Sequence, residues 1–410
     1  MIQAIAFLSR GAFAQATITS FLFFFALNTF VLLPLYVLKL GGTEAEIGII
    51  QAVYSASGII CQPVIGQWVD RVGRRVFMLF GAGLVAATSA MFVLTASIPV
   101  FGVLRALHGI GFSAFFVANY VHVVDLVPVE RRGWALGIFG VAGLLATALA
   151  PLVGELIVRY LGFPALFTGA MLCAGAAVAV LTRMQGVRPP VMTGGHRTSL
   201  LRLGMREIFR MHMLIACFFG LGTGVIFTFL PTFGELLGVR GVGLFYTAYA
   251  SAAILVRVAG GDLIDTMGRR AVIIPSMGVQ AAAAGILAIL ALAIAPAGRA
   301  PVLPFLFLAG LMAGGAHGFL YPALSALLVD VTPERRRASV VGIFSSVFLV
   351  GNAFGAIVFG YLAHGFGYRV MWAALTGVLL AGFAVSFRLR TGGAPARRPG
   401  PVPPAEEGAR

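Results

Sequence analysis

The sequence predicts an all-α integral membrane protein: twelve transmembrane helices in two parallel six-helix repeats. Three observations carry that prediction. The chain is 60% hydrophobic and only 10% charged over 410 residues, where a soluble domain carries about 25% charged residues. Apolar segments of about 20 residues, the length a helix needs to cross roughly 30 Å of hydrocarbon, recur along its whole length. A charged hairpin between two of them, Gly66-Gln-Trp-Val-Asp70-Arg71-Val-Gly73-Arg74-Arg75, returns in part 195 residues later as Gly261-Asp-Leu-Ile-Asp265-Thr266-Met-Gly268-Arg269-Arg270.

Taken in order, the spans are expected at roughly 12–37, 46–68, 76–97, 99–124, 134–159, 163–183, 211–236, 242–264, 271–295, 302–328, 338–362 and 367–388. Met1 to Arg10 runs into the first without a signal-peptide cleavage pattern, so that helix is expected to stay. Positive charge then sets the orientation. With the N-terminus inside, 22 of the 29 Lys and Arg residues fall on inner segments. Only Lys39, Arg159, Arg240, Arg299 and Arg369 fall on outer ones, while Arg105 and Arg257 lie within spans. Short cytoplasmic loops are enriched in Lys and Arg, so both termini are expected in the cytoplasm. The same asymmetry accounts for the net charge of +15 without a nucleic-acid partner. Cys61, Cys173 and Cys217 fall inside apolar runs, with neither metal spacing nor a disulfide framework. No G-x-S-x-G, H-E-x-x-H or P-loop pattern occurs, so the reading is of a non-enzyme with no cofactor and no metal.

The duplication extends past the hairpins. Asp125-Leu-Val-Pro128-Val-Glu130-Arg131-Arg132-Gly133 is echoed by Asp330-Val-Thr-Pro333-Glu334-Arg335-Arg336-Arg337-Ala338. At an offset of 205, Gly137-Ile-Phe139 falls on Gly342-Ile-Phe344 and Leu161-Gly162-Phe163 on Phe366-Gly367-Tyr368, while Tyr54 and Tyr249 correspond at 195. The organisation is therefore read as an N-terminal six-helix repeat over 1–184, a cytoplasmic linker over 185–210 ending in a short surface helix, a C-terminal repeat over 211–390, and a disordered tail over 391–410.

Hairpins of this wording in both halves, with the acidic-arginine loops after the fourth and tenth spans, resemble the signature of the major facilitator superfamily over about residues 12–388. The first copy matches at every defining position; the second has Thr266 where an arginine is usual. The stretch from Thr228-Phe-Leu-Pro231 through Arg257 is similar to bacterial efflux permeases of the twelve-helix drug and sugar exporter type. The resemblance implies the major facilitator fold and secondary transport by alternating access. It further implies proton-coupled export of a small organic compound, by a monomer among the lipids of the inner membrane. Two alternatives stay open: a proton-coupled uptake symporter for an organic anion, and a non-transporting membrane receptor or scaffold.

The hairpins are expected to act as a conformational latch, formed by Gly66, Asp70, Arg71, Gly73, Arg74 and Arg75 in one half. Gly261, Asp265, Gly268, Arg269 and Arg270 form the other, with Arg257 and Asp262 assigned to it as well. The plainer reading is a topology signal, but an aspartate contributes little to orientation. In the fourth span Arg105, His108, Phe112, Phe115, Asn119 and His122 step by three and four and share one helical face. An arginine at bilayer depth costs roughly 2.5–3.5 kcal/mol, so Arg105 must meet a cavity or a partner. Arg105-Ala-Leu-His108-Gly109 resembles the family's fourth-helix arginine motif, with His108 where glutamine is common. In the fifth span Ala150-Pro151-Leu-Val-Gly154-Glu155 resembles a degenerate antiporter motif. Substrate contacts are expected from Asn28, Arg105, His108, Phe112, Asn119, Thr223, Phe227, His317 and Tyr321, each of which could equally serve helix packing. Arg105 and Glu155, both about 6–9 Å below the outer surface, are expected to pair and to couple transport to protons.

Overall fold

The computed structural model describes residues 11–126, 132–184, 207–292, 302–330 and 337–389, whose regular elements are all helical. The expected linker and its surface helix (to residue 206) and the tail lie outside the described residues. So do the loop residues 127–131 and 331–336.

The first span is built from two helices, Gly11–Asn28 and Leu33–Lys39, joined by a 3-10 turn, Thr29–Leu32. Pro34 has no N–H to give and its ring crowds the preceding turn, so the α-ladder is interrupted there. The second span, Glu44–Val72, opens in a reciprocal cap: Thr43 N–H donates to Glu46 Oε2 at 2.8 Å, and Glu46 N–H to Thr43 Oγ1 at 3.3 Å. Then follow Arg74–Leu94, Ile98–Asp125, Arg132–Leu161 and Phe163–Arg183. The second half runs Glu207–Leu236, Gly243–Ala259 with Gly261–Thr266, Arg269–Leu292, Val302–Asp330, and Arg337–Ser386.

Nine helices among the described residues are long and apolar enough to cross a bilayer, with Ile343–Ser386 counted as one. That element breaks at Gly367, where φ is 78°, and so holds two crossings. Gly243–Ala259 is apolar but short, and Glu44–Val72 has the length at 29 residues while carrying more polar groups. Together these give the twelve-span bundle. The duplication is written in the backbone as well. Gly73 and Gly268 take φ of 111° and 87° at the offset of 195; Gly162 and Gly367 take 84° and 78° at 205. Only glycine adopts that region without steric cost, so each turn is fixed twice by the same residue.

In the first half the first span packs on the fifth and sixth, the second on the fourth, and the third on the fourth and sixth. In the second half the seventh packs on the eleventh, the eighth on the tenth, and the ninth on the tenth and twelfth. The halves meet along two seams, second against eleventh and eighth against fifth, which the duplication relates to each other. Close approach within each half rests on a matching pair of glycines. A Cβ on Gly109 would collide with the Tyr54 carbonyl oxygen, and one on Gly314 with that of Tyr249.

The hairpins tie each half together. Arg74 Nε donates to Asp125 Oδ2 at 3.0 Å. Arg75 donates to the Leu181 and Thr182 carbonyls at 3.0 and 2.5 Å, capping the sixth span, and Arg270 donates to the Phe387 carbonyl at 2.8 Å, capping the twelfth. A cation at a helix C-terminus satisfies orphan carbonyls and opposes the negative end of the dipole. Arg269 donates to the Ile264 carbonyl at 2.9 Å, and Arg71 is exposed. The side chains of Asp70 and Asp265 lie outside the described residues, as does that of Asp262.

Candidate functional site

A cavity of about 290 Å³ lies between the halves, at the lower end of the size of small-molecule sites, about 300–1,000 Å³. The first half lines it with Asn28, Gln51, Tyr54, Arg105, Phe112 and Thr147, the second with Thr223, Phe227, Tyr249, His317 and Asn352. Phe24, Phe30 and Phe348 complete an aromatic wall. No carboxylate is among its lining residues. Two hydrogen bonds knit the wall: Asn28 Nδ2 donates to Thr147 Oγ1 at 3.2 Å, and Ser55 Oγ donates across the halves to Asn352 Oδ1 at 3.2 Å.

Arg105 is 6% exposed. Its Nη2 donates to Gln51 Oε1 at 3.0 Å, and its Nη1 lies 3.5 Å from His108 Nδ1. The guanidinium carbon stands 4.1 Å over the Tyr54 ring and 5.8 Å from that of Phe30. None of these partners carries a negative charge. Aromatic faces and an amide moderate a buried cation, but none supplies the counter-charge that a buried ion needs to recover its lost hydration. The arrangement is suited to receive an anionic group.

The expected stripe on the fourth span divides. Arg105 and Phe112 face the cavity, whereas His108 is fully buried behind it, edge-on to Phe30 at 4.4 Å. Phe115 stacks on Phe23 at 3.8 Å, and Asn119 is buried with neither amide atom bonded. The first span packs over this part of the fourth, so one helical face meets the cavity at one end and a neighbouring helix at the other. Tyr321 lies beside the cavity, its hydroxyl 3.3 Å from Ser345 Oγ and its ring 6.1 Å from His317. Of the expected contacts, Asn28, Arg105, Phe112, Thr223, Phe227 and His317 line the cavity; His108, Asn119 and Tyr321 do not.

The expected Arg105–Glu155 pair is not formed. Glu155 instead accepts from the backbone N–H of Gly241 through Oε1 at 2.6 Å and of Gly243 through Oε2 at 2.9 Å. Depth along the membrane was the basis for the pair, but the fifth span packs on the first and eighth, and the fourth on the second and third. Neighbours in sequence at equal depth therefore point to different partners. Glu155 becomes a clamp between halves, set on the positive end of the eighth span. Glu44 and His364 add a second contact at the same end, 3.6 Å apart. Gln51, Thr147 and Asn352 went unnoticed because single polar residues within apolar spans carry no periodic signal.

A membrane bundle whose two related halves enclose one polar-lined cavity has the architecture of a transporter. Residues 15–298 and 241–409 match the family model described as Major Facilitator Superfamily. The chain belongs to that superfamily and is one of its multi-pass transmembrane transporters. It is 25% identical over 366 residues to the multidrug resistance protein MdtG of Salmonella choleraesuis (strain SC-B67), covering 85% of this chain and 87% of that one. Its fold is similar to that of the nucleoside transporter NupG, with a TM-score of 0.76 at 15% identity over 92% of this chain and 98% of that one. It is also similar to the human organic anion transporter MFSD10, with a TM-score of 0.64 at 19% identity over 92% and 99%.

Proposed function

We propose that the protein exports a small organic anion across the inner membrane by alternating access, in exchange for protons, with both termini in the cytoplasm. The observation that carries the anion is the buried Arg105, exposed to a cavity that offers it no carboxylate. Export is supported by the relative named for multidrug resistance and by the resemblance of the 150–155 stretch to an antiporter motif. Aromatic walls on both sides favour a flat apolar body behind the acidic group. The two repeats, 1–184 and 211–390, rock about the cavity as a monomer, and the hairpins latch one of the two states. The present arrangement, with Glu155 clamped to the eighth span, is then the state closed to the outside.

A second reading is uptake by proton symport. It is favoured by the first span, whose residues 11–39 contain no Asp or Glu to carry a proton against the substrate. One experiment separates these readings. Purified protein in liposomes should move benzenesulfonate, a permanent anion, and ignore phenyltrimethylammonium, a permanent cation of similar size. Under a pH gradient, antiport accumulates benzenesulfonate on the acidic side and symport on the alkaline side. Efficient movement of the cation with the sulfonate ignored would show the charge argument to be wrong.

A further inference from the structure

Arg257 was read from sequence as part of the second hairpin, with Asp262. The structure turns it the other way. It lies on the eighth span two turns after Tyr249, next to Val256, which a Cβ on Gly318, the neighbour of His317 on the tenth span, would meet at 2.9 Å. Its Nε is shielded from solvent and makes no hydrogen bond among the described residues. His317, which lines the cavity, likewise has a shielded Nδ1 with no partner, its ring 5.5 Å from Tyr249 and 6.1 Å from Tyr321. Two orphaned nitrogen groups and two tyrosines thus converge beside the cavity wall of the second half.

The duplication gives this cluster its meaning. Tyr54 and Tyr249 are equivalent residues, each with its backbone seated against an equivalent glycine, Gly109 or Gly314. Arg105 stacks on the first tyrosine, and Arg257 stands two turns beyond the second on the same helix. The two cations differ in depth. Arg105 stands seven residues into a helix that starts at the outer end, Arg257 fourteen into another, so Arg257 lies about 10 Å nearer the inner end at 1.5 Å per residue. We infer that Arg257 and His317 form a second anion subsite, in series with Arg105 on the inner side of the cavity. It takes the acidic group of the same class of small organic anion, and so rests on the anion reading above. A guanidinium and an imidazole N–H suit a carboxylate or sulfonate, which offers several acceptor oxygens.

The test is a titration of the purified full-length protein with benzenesulfonate, followed by thermal shift. The wild type should be stabilised by benzenesulfonate and not by phenyltrimethylammonium. Arg257→Gln should weaken binding about tenfold or more, and Arg257→Lys, which keeps the charge, should stay within about threefold of the wild type. Arg105→Gln should retain weak binding that Arg105→Gln combined with Arg257→Gln abolishes, while His317→Gln should weaken it alone. Each variant is first required to elute as a monodisperse peak. If Arg257→Gln binds as the wild type does while Arg105→Gln loses binding, the second subsite is refuted and the cavity reading stands. If the wild type does not distinguish the two probes, both readings fall.

Discussion

Arg105 is the residue whose placement against a cavity was most legible in the sequence, because a guanidinium in an apolar span has few comfortable surroundings. What it faces was not legible. Gln51 and Tyr54, which hold it, lie on another helix, and no pattern in the fourth span names them. His108 and Asn119 shared its helical face by count, yet both are buried in packing, Asn119 with neither amide atom bonded. A periodicity tells which residues share a face but not what covers each part of it. Gly109 and Gly314 are counterparts in the two halves, each seated against a tyrosine carbonyl. Gly109→Ala and Gly314→Ala should each destabilise the protein by about 1–3 kcal/mol, since the new methyl group meets a backbone oxygen that cannot swing aside. Gly315→Ala, which has open space around its Cβ position, should leave the melting temperature in detergent unchanged. Equal melting of all three variants would mean that the helices part without cost.

At the scale of elements, helix number, order and limits followed closely from apolar length. The 3-10 turn at Thr29–Leu32 did not, because a proline interrupts the ladder without stating how the turn before it closes. Partners of helices were the least legible feature: spans four and five adjoin in sequence but diverge, and Glu155 found the eighth span instead of Arg105. A carboxylate accepting two backbone N–H groups is a charge-assisted contact worth roughly 1.5–3 kcal/mol per bond. Glu155→Gln removes the charge and replaces one acceptor by a donor facing an N–H. The clamp should loosen and the outward-open state should gain population. The readout is an Asn28→Cys reporter in the cavity, with Cys61, Cys173 and Cys217 replaced by alanine. Glu155→Gln should speed its labelling by an impermeant maleimide added outside about tenfold. An unchanged rate would make the contact a fixed brace between helices.

At the scale of the whole molecule, the repeat explains why one account serves both halves. Each half folds its hairpin arginine, Arg75 or Arg270, onto the end of its own last helix, which ties that half together. Across the halves the described polar contacts concentrate on the two seams, through Glu155, Thr247 and Ser55. Seams of this kind can part without unfolding either half, which is what alternating access requires. On the orientation proposed above, the clamped end is the outer one. The most direct measurement is labelling of Asn28→Cys from each face of the membrane, in right-side-out and inverted vesicles. It is made with and without a disulfide between Ala148→Cys and Thr247→Cys, where Thr247 Oγ1 donates to the Ala148 carbonyl at 2.9 Å. The account predicts labelling from both faces in the reduced protein, and loss of the outer reaction alone once the disulfide closes. Labelling from a single face only, or outer labelling that persists through the disulfide, would contradict it.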